Sequence, residues 1–139
     1  MEKTPPGDQP HAAAPVTHVS GPDFLALQVR DLERATAFYQ QEIGLKRAPT
    51  PEGVTGVVVF ETSTIPFGLR EPLPGTDLEA GPPGLGVSLS LHVDDAKALH
   101  THLKSRGVPI LTDPFDTPFG LTFVFQDPDG YVIAIHGAG

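Results

Sequence analysis

The sequence predicts an α+β fold of two tandem β-α-β-β-β modules, and three observations lead there. The stretch Phe24-Leu25-Ala26-Leu27-Gln28-Val29-Arg30-Asp31 returns as Ser88-Leu89-Ser90-Leu91-His92-Val93-Asp94-Asp95, Leu25 falling on Leu89, Leu27 on Leu91, Val29 on Val93 and Asp31 on Asp95. Each copy alternates residue by residue, the pattern of a half-buried strand whose side chains point to opposite faces in turn. Each is followed by an acid and an amphipathic helical stretch that ends on glycine, Gly107 answering Gly44 one residue short of register.

In chain order, residues 1–22 carry Pro5, Pro6, Pro10, Pro15 and Pro22 without a hydrophobic period, so a flexible tail is expected, with His11 and His18 as solvated spectators. Residues 23–139 are expected to form a single domain, with modules at about 23–72 and 87–137. Asp31 suits the N-cap of a helix whose apolar stripe is Leu32, Ala35, Phe38, Tyr39 and Ile43, and Gly44 suits its left-handed stop. Three strands are expected next: Lys46–Thr50, ending at Pro51, then β-prone Gly56–Glu61, then Pro66–Glu71 with proline at its start. The density of Pro and Gly from Pro72 to Gly86 excludes regular structure, so residues 73–86 read as a linker.

The second module repeats the order. Asp94 or Asp95 caps a helix with Ala96, Leu99 and Leu103 inward, which Gly107 closes. Val108–Leu111, Leu121–Phe125 and Tyr131–Ile135 are the strands, the last two flanking a turn at Asp127-Pro128-Asp129-Gly130. Phe115, Phe119, Phe123 and Phe125 read as core, and Asp113–Gly120 as a segment able to fold over a cavity mouth. His100 and His102, two apart on a helix, diverge and read as surface and packing residues.

Composition narrows the function. A chain of 139 residues with 39% hydrophobic residues builds one compact unit, or two half-size modules sharing a core. A net charge of -8 opposes binding to nucleic acid or to an anionic membrane surface. Absence of cysteine removes disulfides and thiolate chemistry and fits a cytoplasmic location. No apolar run reaches the roughly 20 residues a membrane span needs, and the start of the chain shows no signal pattern. There is no phosphate-binding glycine loop, nucleophile elbow or paired-acid signature.

The opening VRDLERATAFY (Val29 to Tyr39) and closing DPDGY (Asp127 to Tyr131), in a duplicated frame, resemble the vicinal oxygen chelate superfamily of glyoxalase I, extradiol dioxygenases and bleomycin-resistance proteins. The resemblance implies that each module curls its mixed sheet into a half-open cup. It implies, too, that two cups, often from two subunits, enclose a ligand, so a homodimer is expected. Metal-dependent members place their ligands at the start of the first strand and the middle of the last strand of each module. Carried onto this chain, those points are Phe24, Gly68, Ser88 and Ala134. A zinc, nickel or iron site needs about three or four O, N or S donors. Phe24, Gly68 and Ala134 supply none and the Ser88 hydroxyl is a poor one, so no metal and no cofactor are expected.

What remains is a small-molecule binder with an apolar cavity and a few directed polar groups. Its candidate ligand-binding residues are Phe24, Gln28, Gly68, Arg70, Ser88, Ser90, His92, Ala134 and His136. Phe24 is placed to stack on a planar ligand and Arg70 to meet an anionic group. The expected function is sequestration of a small, partly aromatic molecule in the manner of the antibiotic-binding branch. The alternative is an enzyme of glyoxalase or dioxygenase type, using a metal relocated to His92 and His136 or metal-free acid-base chemistry at His92. As structural residues, His92 and His136 would simply be strand-end histidines satisfied by backbone or water, and Arg70 a rim salt bridge.

Overall fold

The computed structural model describes residues 16–139. The first module comprises β1 (Leu25–Gln28), α1 (Leu32–Ala37), β2 (Lys46–Arg47), β3 (Val57–Glu61) and β4 (Phe67–Arg70). The second comprises β5 (Leu89–Val93), α2 (Ala96–Ser105), β6 (Ile110–Thr117), β7 (Gly120–Gln126) and β8 (Val132–Gly137). Their sheets run β1-β4-β3-β2 and β5-β8-β7-β6, one order used twice. In each the first and last strands of the module pair in parallel and the remaining pairs are antiparallel. The fold is thus α+β, two tandem modules whose mixed sheets stay open. Residues 1–15 of the expected tail, with His11, lie outside the described residues; residues 16–22, with His18, are exposed and form neither helix nor strand.

Both helices start as their sequences require. Asp31 accepts from the Arg34 N–H at 3.1 Å, and Asp95, not Asp94, accepts from the Ala98 N–H at 2.9 Å. Gly44 and Gly107 close the helical stretches at φ +89° and +79°, where a Cβ would be strained. The first helix does not continue as an α-helix to Ile43. It widens into a π-helical turn over Phe38–Glu42, in which the Ile43 N–H reaches back to the Phe38 carbonyl at 3.2 Å. Adjacent Phe38 and Tyr39 are both buried there. Tyr39 packs edge-on against Phe67 (5.2 Å) in its own module, and Phe38 meets Phe125 (6.0 Å) in the other. One aromatic core therefore crosses the module boundary.

Three expectations need correction. β2 is only Lys46–Arg47, paired with Glu61 and Phe60; the Ala48 N–H still reaches the Val59 carbonyl at 2.8 Å, after which the chain leaves the sheet ahead of Pro51. The segment after Ile110 is not a lid: β6 runs to Thr117 and pairs with β7 as a hairpin. Its Pro114 is tolerated because β6 is an edge strand with register shifts on either side of Thr112. The phenylalanines divide, Phe123 and Phe125 being fully buried while Phe115 and Phe119 are 46% and 77% exposed. Residues 73–86 form no strand or helix and are stitched by turns, with Thr76, Ala80 and Val87 N–H groups bonding Leu73, Asp77 and Gly84 carbonyls.

Glu42, at the end of the π-turn, bridges the modules by bonding His102 on α2 (2.9 Å) and Arg106 just after it (3.1 Å). The Arg106 hydrogen bond first, then that of His102, holds its carboxyl below the ordinary glutamate range. Its contribution is therefore present above the unfolded glutamate value and lost as pH falls through the lowered folded one. Denaturant titrations at stepped pH should show wild type losing stability across that window and Glu42→Gln losing less, so that the two curves converge in acid.

Candidate ligand-binding site

Strand alternation decides what each sheet shows on its open side. Leu27, Val58, Phe60, Phe67 and Leu69 turn into the core, which leaves Phe24, Ala26, Gln28, Gly68 and Arg70 on the opposite face. Phe123, Phe125, Ile133 and Ile135 do the same in the second module, leaving Ser90, His92, Thr122, Ala134 and His136. The registers set Ala26 beside Gly68, Gln28 beside Arg70, Ser90 beside Ala134 and His92 beside His136. Ser88 stands exposed just before β5.

In the first module, the Phe24 ring lies over Gly68. A Cβ built there would stand 2.7 Å from Phe24 Cζ and 3.1 Å from the Val58 carbonyl oxygen, so the ring occupies the place of a side chain at 68. Gly68 is buried under it, while Phe24 itself remains 44% exposed and offers surface for stacking. Arg70, half-buried, makes no ion pair among the described residues, its Nε reaching only the Glu71 carbonyl at 3.4 Å.

In the second module, the His136 Nδ1 lies 3.3 Å from the Phe119 carbonyl oxygen. A carbonyl only accepts, so this contact assigns the proton to Nδ1 and leaves Nε2 of the neutral ring as an acceptor. The His92 ring sits edge-to-face on it at 5.5 Å, and exposed Phe119 approaches from the hairpin at 6.3 Å. Next to them in the sheet, Thr117 and Thr122 hydroxyls meet at 3.0 Å. His100 and His102 stay away from this face, packing on Phe123 (5.2 Å) and bonding Glu42.

These residues do not fit a metal. The Phe24 ring covers Gly68 where donors would stand, Ala134 brings none, and Ser88 is a neutral hydroxyl. Among the described residues no three His, Asp or Glu side chains are placed so as to hold a metal ion together. His92 and His136 make a pair without a carboxylate, short of a two-His-one-carboxylate set. The faces are suited instead to stacking, to hydrogen bonding through imidazole and hydroxyl, and to charge pairing at Arg70.

Sequence reasoning missed a second set of residues, which holds the modules in place. The turn at 127–130 grips the first module. Buried Asp127 accepts from the Tyr39 hydroxyl at 2.7 Å and from the Asp129 and Tyr131 N–H groups, both at 2.9 Å. Asp129 accepts from the Arg30 N–H at 2.8 Å, and the Arg30 guanidinium also bonds Glu79 (2.6 Å) and the Leu78 carbonyl (2.9 Å) on the linker. The Tyr131 hydroxyl donates to the Gln28 carbonyl at 2.6 Å. Burial pushes the Asp127 carboxyl above the ordinary aspartate range, against the pull of the Tyr39 hydrogen bond, and pushes the Tyr39 hydroxyl well up. Both ends of this clasp lie inside the two quoted motifs, Tyr39 closing one and Asp127 to Tyr131 forming the other; that coincidence was the available signal.

Comparison with known proteins agrees with this architecture. The profile of the Glyoxalase/Bleomycin resistance protein/Dioxygenase superfamily matches residues 21–135. The chain belongs to this superfamily. No curated protein matches it in sequence. Among solved members of similar fold, TnmS3, an antibiotic-binding protein from Streptomyces sp. CB03234, is 28% identical with a TM-score of 0.69, covering 88% of this chain and 99% of its own. A glyoxalase/bleomycin resistance protein from the same organism is 29% identical with a TM-score of 0.66, covering 84% and 99%. Lactoylglutathione lyase from Agrobacterium tumefaciens, at 19% identity, TM-score 0.60 and coverage of 86% and 94%, shares the fold alone. One fold thus serves an antibiotic-binding protein and a lyase, so function has to be argued from the site residues.

Proposed function

We propose that this protein binds a small, partly aromatic molecule stoichiometrically and without a metal, between the open sheet faces of two copies of the chain, as an antibiotic-sequestering member of its superfamily. The carrying observation is the Phe24 ring seated on Gly68, which puts an aromatic surface where metal-dependent relatives would need donors. Gln28, Arg70, Ser88, Ser90, His92 and His136 supply the directed polar groups around it, and Ala134 leaves room in the second sheet. Likeness to an antibiotic-binding protein at 28% identity supports the reading.

A second reading draws on His136, whose Nε2 is left as a base beside His92. An oriented imidazole of this kind is suited to metal-free proton transfer. Turnover of the bound molecule, abolished by His136→Ala with binding retained, is the mark of that reading.

Calorimetry of the untagged protein against a panel of aromatic natural-product antibiotics tests the first. At least one should bind in a defined ratio, and Phe24→Asp should weaken it roughly tenfold or more, through lost stacking and an added charge. Elemental analysis should show no stoichiometric transition metal. Binding indifferent to Phe24→Asp, or one tightly held metal per chain, would sink the proposal.

A further inference from the structure

Between the modules, where the edge strands β1 and β5 come together, lies a cavity of about 460 Å³ that meets the open face of the first sheet at Ala26 and Gln28. Leu25 on β1 forms one wall, Leu89 and Ile133 at the starts of β5 and β8 form another, and the linker lays Pro83, Leu85 and Val87 over the top. The roof is fitted to its support. A Cβ on Gly84 would stand 3.3 Å from Tyr131 Cδ1, and one on Gly130 would stand 3.5 Å from Pro83 Cγ. Farther back, Arg30 ties the linker down through Glu79 and the Leu78 carbonyl.

The polar groups around the cavity define what it can accept. No charged side chain lines it. The Tyr131 hydroxyl is committed to the Gln28 carbonyl (2.6 Å), and Gln28 Oε1 accepts from the Leu73 N–H (2.7 Å). That second bond holds the amide and leaves its NH2, which donates to none of the described residues, as an available side-chain donor among mostly apolar lining residues. Burying an ion here would cost its hydration with no partner in return. A neutral apolar guest instead gains from every contact, and one acceptor on it would find the amide.

We infer that this inter-module cavity is a second binding site, for a compact uncharged apolar molecule carrying a single hydrogen-bond acceptor that the Gln28 amide NH2 recognises. It makes no use of the Phe24 stacking surface or the imidazole pair but shares Gln28 with the proposed sequestration site, so Val87→Glu, at a position that site does not use, is the variant that separates the two.

Methyl-resolved NMR titration with 2-adamantanone, and with the equally bulky but charged 1-adamantylammonium, tests it on the full chain. The ketone should saturate shifts centred on the Leu89, Ile133 and Val87 methyls, and the ammonium should bind at least tenfold more weakly. Gln28→Leu should weaken the ketone roughly three- to tenfold, the range of one hydrogen bond. Val87→Glu, at a position 71% exposed and so compatible with folding, should weaken it tenfold or more by placing a carboxylate in the roof. No saturable shift, equal binding of the ammonium, shifts centred on Val124 of the open face, or a ketone affinity unmoved by Val87→Glu would each overturn the inference.

Discussion

Asp127→Ala is expected to lower stability by about 3–5 kcal/mol and the thermal midpoint by on the order of 10 °C. Three donors lose their acceptor together, the Tyr39 hydroxyl and the Asp129 and Tyr131 N–H groups, at a residue only 4% exposed. Each buried donor left without a partner costs about 1–3 kcal/mol, and the relieved desolvation of the carboxylate offsets part of the sum. The loss spreads beyond the turn, since Asp129 and Tyr131 then lose their hold on Arg30 and Gln28 of the first module. Asp127→Asn keeps the carbonyl oxygen for the two N–H groups and an amide for Tyr39, and should fall by far less.

The same pair of variants reveals the charge state. The folded carboxyl is raised, so between the unfolded aspartate value and the raised folded one the native state holds the extra proton and stability falls as pH rises. Asp127→Asn has no such slope. Its stability relative to wild type should improve as pH climbs through that window, as read from denaturant midpoints. A difference between the two proteins that runs the other way, with wild type gaining on Asp127→Asn as pH climbs, would mean that the Tyr39 hydrogen bond outweighs burial.

Gly137→Ala is expected to be as damaging, about 3 kcal/mol or more, for a steric reason. Gly137 sits opposite Val93 in the parallel β5–β8 pair, and a Cβ there would collide with the Val93 carbonyl oxygen and stand 2.9 Å from its carbonyl carbon. Both are backbone atoms, so no rotamer change relieves the clash. The next residue is pinned as well, because the Ala138 carbonyl accepts from the Ala96 N–H at the start of α2, at 2.7 Å. The strands must therefore part where they carry His92 and His136. Thermal unfolding should show the loss, and the His92 and His136 imidazole signals should change together. A midpoint within a degree or two of wild type would refute the clash.

How much of this could be read beforehand differs by element. The duplicated strand, the capping aspartates and the closing glycines act within a few residues of themselves, so their period and chemistry suffice. The widening at Phe38–Glu42 could not be read, since a stripe of Leu32, Ala35, Phe38, Tyr39 and Ile43 fits either helix. The length of β6 was equally hidden, because Pro114 argues against a strand until its edge position is known. The candidate faces follow from alternation, but which residues neighbour across strands does not. The contact of Phe24 with Gly68, and the tautomer that Phe119 imposes on His136, needed positions distant in the chain.

By itself, then, the sequence determined a chain of two β-α-β-β-β modules and which face of each strand is apolar, and the family resemblance it carries named Phe24, Gly68, Ser88 and Ala134 as the points to compare. Only the tertiary structure decided how the modules are joined. The bonds from Tyr39, Arg30 and Gln28 to the turn at 127–131 join residues 88, 99 and 103 positions apart, and the cavity that forms beside them is likewise lined from both modules. Local rules describe what a residue does to its near neighbours. A buried carboxylate becomes tolerable only when distant donors reach it, and nothing in its own segment shows where they will come from.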